Sequence, residues 1–79
     1  MSYQDKDWQE ALRRIEEARL NGGIEVDLSD LKIYSIPDEL LTLADTLEVL
    51  DLSYTNITDI TPLVGLTRLK VLQLYIISQ

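Results

Sequence analysis

Carboxylates dominate the chemical repertoire of this 79-residue chain, which has 14 Asp and Glu against 7 Lys and Arg, with no His and no Cys. Lack of His removes the commonest general base and metal ligand, and lack of Cys removes disulfides and thiolate chemistry. Two carboxylates are placed alike: Asp27 in Val26-Asp27-Leu28-Ser29 and Asp51 in Leu50-Asp51-Leu52-Ser53. If each phrase is a strand and the strands are neighbours, these carboxylates lie side by side, roughly 5 Å apart. Such a pair can raise one carboxylate's pKa, hold a cation or receive a partner's Arg or Lys. The plainer and favoured reading is a solvated Asp between two inward apolar residues. General acid–base work also needs a pocket and further groups. With no phosphate loop or metal-ligand cluster in the sequence, the expectation is a non-enzyme without catalytic, cofactor-binding or metal residues.

The elements that position these residues are legible around Leu47-Glu48-Val49-Leu50-Asp51-Leu52-Ser53-Tyr54-Thr55-Asn56-Ile57. Its apolar residues fall at relative positions 1, 4, 6 and 11, with Thr55 at position 9. A helix asks for steps of 3 and 4 throughout, and a plain strand for strict alternation. This pattern does neither: a short strand is followed by a turn that brings Ile57 back to the same core. Val26-Asp27-Leu28-Ser29 precedes the phrase by about 24 residues, and Leu72-Gln73-Leu74 follows it by about 22, within the period of a solenoid repeat. On these residues the chain resembles the leucine-rich-repeat family over roughly residues 23–79. The run from Thr55 to Leu69, with Asn56-Ile57-Thr58-Asp59-Ile60 and Pro62-Leu63-Val64-Gly65-Leu66, resembles the internalin-like class. The opening, Arg14-Ile15-Glu16-Glu17-Ala18-Arg19 followed by Asp27-Leu28-Ser29-Asp30-Leu31 and Ser35-Ile36-Pro37, is similar to the start of bacterial Roco-type repeat domains. No P-loop follows, so Roco GTPase activity does not carry over. The implied fold is α/β: a short leucine-rich-repeat solenoid with an N-terminal capping helix and a parallel sheet of about three strands.

One structural domain is expected, with residues 1–22 as the capping helix and repeats at 23–46, 47–68 and 69–79. Residues 5–20 read as an amphipathic helix with Trp8, Ala11, Leu12, Ile15 and Ala18 on one face. Asp7 is expected to cap it with Glu10, Glu10 and Arg14 to pair outside, and Asn21-Gly22-Gly23 to stop it. Its role is to cover the apolar end of the first repeat, Trp8 over the core. In that repeat Val26, Leu28, Leu31, Ile33 and Ile36 point inward, and Pro37-Asp38-Glu39 opens the convex return. Position 9 there is Leu31 instead of the family's Asn. In the second repeat the Thr55 hydroxyl serves a loop backbone group, and Leu63 and Leu66 close the core. Asn56-Ile57-Thr58 spells a glycosylation sequon, meaningful only in a secreted protein.

Two surfaces are candidate sites. The concave face, the family's usual binding surface, is expected to present Glu25, Asp27, Ser29, Val49, Asp51, Ser53 and Tyr54. The third strand is expected to present Leu69, Val71, Leu72, Gln73, Leu74, Tyr75, Ile76 and Ile77 as an edge. From Val71 to Ile77 it carries no charge, Pro or Gly, the usual guards against edge association. Val49, Val71, Tyr54, Tyr75 and Ile76 form the expected exposed apolar patch, beside Arg68 and Lys70. The formal charge of −7 argues against nucleic acid and anionic membranes as partners. With no signal-like N-terminus and no membrane-length apolar run, a cytoplasmic location is expected.

The first functional expectation is a protein-interaction module that self-associates, as a dimer, through its C-terminal edge strand. A second is the N-terminal piece of a longer solenoid, natural or designed. A third is an acidic, inhibitor- or antitoxin-like binder of a basic protein site.

Overall fold

The computed structural model describes residues 3–76, with side chains from Lys6 onward. Helix α1 spans Tyr3–Leu20, followed by strands β1 (Glu25–Asp27), β2 (Val49–Asp51) and β3 (Val71–Gln73). The strands form one parallel sheet in the order β1-β2-β3. Short 3-10 turns, Asp38–Leu43 and Thr61–Gly65, carry the chain back between strands.

α1 starts earlier than the sequence pattern suggests, so Asp7 sits inside it and is not its N-cap. The Asp7 carboxylate instead accepts the backbone N–H of Lys32 in the first coil. The helix ends as expected. Gly23 N–H donates to Ala18 O and Gly22 N–H to Arg19 O, the paired bonds of a Schellman motif. Gly22 and Gly23 both adopt positive φ, 102° and 68°, where an L side chain is strained.

Inward residues of the first two coils build the core. Val26, Leu28, Leu31, Ile33, Ile36, Leu40, Leu43, Leu47, Leu50, Leu52 and Leu66 are buried, and Ala11 and Ile15 of α1 join them. Trp8, Ala18, Ile57, Leu63 and Leu69 pack against this core at its margin. α1 packs against β1 and the first 3-10 turn.

Identical backbone bonds recur from coil to coil. Leu28 N–H donates to Asp51 O at 2.8 Å and Asp30 N–H to Ser53 O at 2.9 Å; one coil on, Leu52 N–H donates to Gln73 O and Tyr54 N–H to Tyr75 O, both at 2.8 Å. The ladder therefore runs past the three-residue strands into the following turns. Thr55 serves its own loop, its Oγ1 donating to Leu52 O at 2.9 Å and accepting from Ile57 N–H.

Candidate interaction surface

Parallel registration places the concave residues in rows. Glu25, Val49 and Val71 form one row, and Asp27, Asp51 and Gln73 the next. The adjacency of Asp27 and Asp51 matches the sequence expectation. Asp27 Oδ1 accepts Ser29 N–H at 2.8 Å and Ser29 Oγ–H at 2.6 Å, while Asp51 Oδ1 accepts Ser53 N–H at 2.9 Å. Each Asp closes the turn at the end of its strand. Hydrogen bonds from Ser29 hold the Asp27 carboxyl below its ordinary value, outweighing desolvation. Of the possibilities that the pair offers, a raised pKa is not the one seen at Asp27, because local donors to the charged form dominate.

Ser53 is not a concave contact either. It is 2% exposed, and its Oγ accepts Tyr75 N–H at 3.0 Å. The cause lies one coil away. In the third coil Gln73 stands where the first two have Asp, and the N–H two residues on, that of Tyr75, is accepted by Ser53 instead. The Asp-to-Gln change between otherwise matching phrases was the available sequence signal for this bond. Glu25 and Asp27 are exposed, and Ser29, Val49 and Asp51 are half-buried.

At the turn following each of the first two strands one residue takes the left-handed conformation, Asp30 at φ 64° and Tyr54 at φ 61°. Asp tolerates this; a bulky Tyr does so at a cost. The N–H of each feeds the backbone ladder already described, which holds the conformation. The Tyr54 ring is exposed beside Tyr75 and Ile76, at 62% and 77%.

β3 differs from its neighbours. Leu72 pairs in register with Leu50 and, through it, with Val26, yet Leu72 is 38% and Leu74 37% exposed while Leu50 and Leu52 are 0%. Burial in each coil requires the next coil to cover it, and nothing among the described residues covers the third. Val71, Gln73, Tyr75 and Ile76 are exposed as well, and Leu69 is half-buried against the core. Ile77 lies outside the described residues. Of the two cations beside this edge, Lys70 is paired within the chain to Glu48 at 3.6 Å, and Arg68 is exposed.

The opposite edge of the sheet is occupied. Arg14 Nη1 donates to Asp27 O at 3.0 Å and to Ser29 O at 3.3 Å, outer carbonyls of the first coil. Its Nε donates to Glu10 at 2.9 Å. The expected Glu10–Arg14 pair thus exists, but it is half-buried and aims the guanidinium at the sheet. An open cleft of about 640 Å³ lies here between α1 and β1, lined by Arg13, Glu17, Glu25, Asp27 and Asp30 among others. Arg13 is tied to Glu10 and Glu17, so its charge is engaged within α1. No group of three or more Asp and Glu among the described residues is arranged to hold a metal ion.

Short parallel strands, one per coil, returning through tight turns with matched backbone bonds, define the architecture. Residues 45–79 match the family model for leucine-rich repeats in two copies. The chain carries leucine-rich repeats. β1 lies in register with the matched coils, extending the same geometry back to Glu25. The fold is that of a short α/β leucine-rich-repeat protein: one helix and three parallel strands in an open sheet. The match is to these repeats in general and singles out neither an internalin-like nor a Roco-type class. No curated protein and no solved structure matches the chain.

Proposed function

We propose that this chain is a non-enzymatic protein-interaction module, and that the protein it binds is a second copy of itself, at the β3 edge. Leucine-rich repeats imply a protein-binding role. In this reading residues 1–22 form the cap and the repeats at 23–46, 47–68 and 69–79 complete one domain. The observation that carries the choice of surface is the exposure of Leu72 and Leu74 at positions buried in both preceding coils. An uncharged edge strand supplies backbone donors and acceptors next to that apolar surface. The interface set is Leu69, Val71, Leu72, Gln73, Leu74, Tyr75 and Ile76, with Ile77 beyond the described residues. A cytoplasmic location belongs to the same proposal and suits a cysteine-free chain.

An acidic concave-face binder has less support. Carboxylates are spread over α1 (Glu16, Glu17), the convex side (Asp38, Glu39, Asp45) and the concave side, and both central concave Asp side chains serve local backbone. The same open end would also receive a following coil in a longer solenoid.

Light scattering over a concentration series, on the parent and on Leu74→Lys, separates these readings. The expected result is a dimeric parent and a monomeric variant that keeps its circular dichroism. A folded monomer at all concentrations overturns self-association and favours the concave face. Aggregates of no fixed size favour the longer solenoid.

A further inference from the structure

We infer that two copies join their sheets through β3 in antiparallel orientation, with the two-fold axis at Gln73 and Leu72 of each copy opposite Leu74 of the other. This rests on the self-association proposed above and specifies its geometry. Alternate residues of the third strand turn their backbone toward β2: Val71 N–H donates to Glu48 O, while Gln73 O and Tyr75 O accept from Leu52 and Tyr54. By alternation, Leu72 and Leu74 direct N–H and C=O outward. Antiparallel strands exchange both bonds between residues whose groups face each other. Leu72 opposite Leu74 meets that condition on both sides of the axis.

A head-to-tail arrangement is closed to this chain, because the β1 edge already receives Arg14 of α1. Only the β3 edge remains, and pairing a surface with itself gives a closed two-fold dimer.

Both faces of the paired strands are self-complementary in this register. On the core side the half-exposed Leu72 and Leu74 cover one another. On the concave side Val71 meets Tyr75, a favourable β-branched–aromatic cross-strand pair, and the two Gln73 amides meet at the axis. Moving the axis to Leu72 would bring Lys70 opposite Leu74 and lose this match. The run from Val71 to Ile77 carries no charge, so the paired strands bring no like charges face to face despite the net −7. Stable specific interfaces bury upward of about 1,200 Å² in total. Val71, Leu72, Leu74, Tyr75 and Ile76 are between 37% and 77% exposed, and five such residues from each copy supply less than that, which predicts a weak, concentration-dependent dimer.

The chain has no Cys, so a single introduced thiol reports the register. At the axis, Gln73 and its mate form a non-hydrogen-bonded pair with Cα atoms about 4.5 Å apart, within disulfide range. Under mild oxidation Gln73→Cys is expected to give covalent dimer at least about tenfold faster than Tyr75→Cys, whose mate lies several residues away. Gln73→Lys, with like charges facing across the axis, is expected to weaken the dimer at least about tenfold by light scattering. A dimeric parent in which Leu74→Cys links readily and Gln73→Cys does not overturns this register and leaves self-association standing. So does a dimer unaffected by Gln73→Lys. A parent that stays monomeric overturns both.

Discussion

Asp27 and Asp51 show how a local bond decides the fate of a side chain that looks chemically useful. Each carboxylate is anchored to the N–H two residues on, so its first task is to end a strand. Gly23 is equally constrained. It sits at φ 68°, and a Cβ there would lie 2.5 Å from Thr46 Oγ1 and 3.3 Å from Leu43 Cδ2. At Gly22 the nearest contact is Ile24 Cγ1, at 3.9 Å. Gly22→Ala is therefore expected to cost about 1 kcal/mol from the left-handed backbone alone. Gly23→Ala should cost about 2 kcal/mol or more, because crowding adds to the same backbone penalty. Urea unfolding of the two variants measures the difference, and equal costs would mean that Thr46 moves aside freely.

At the scale of the element, α1 is held by its own ion pairs and by two reaches into the first coil. Hydrogen bonds from Arg13 and Arg14 bring the Glu10 carboxyl from the usual 4.5 down to about 2. Glu16, paired with Arg19, is lowered too. A carboxyl lowered in the folded state binds its proton more weakly there than in the unfolded chain. Its stabilisation is thus complete above about pH 4.5 and is lost as pH falls toward 2. Thermal midpoints at pH 7, 4.5 and 2 should fall mainly across the last interval. Glu10→Gln should flatten that fall, and unchanged acid sensitivity would show that other carboxyls carry it. Asp27 and Asp59, lowered by hydrogen bonds from Ser29 and Thr61, shift the same way.

Across the whole molecule, burial runs down from the α1 side to the third coil. Leu50 and Leu72 occupy equivalent places on adjacent strands, one fully buried and the other 38% exposed. Leu50→Ala is expected to cost about 2–5 kcal/mol through lost burial and a residual cavity. Leu72→Ala should cost about 1 kcal/mol or less in dilute solution, where its side chain keeps part of its contact with water. At higher concentration the same substitution should act on association, raising the dimer dissociation constant. Unfolding curves at two protein concentrations test both parts. Equal losses for Leu50 and Leu72 in dilute solution would show that the third coil is covered within the chain.

The 22- to 24-residue recurrence of paired apolar residues dictated the parallel sheet and the core, because position along one coil sets which side chains face inward. Gly22-Gly23 dictated the helix stop, since few residues tolerate that backbone. These are local rules, and a sequence states them. What the tertiary structure decided were the bonds between elements. Asp7 reaching Lys32, Arg14 occupying the β1 edge and Ser53 turning inward to Tyr75 all depend on groups 13 to 25 residues apart in the chain. No periodicity encodes them. The openness of Leu72 and Leu74 belongs to the same class, since a side chain's burial depends on the coil beside it as much as on its own position.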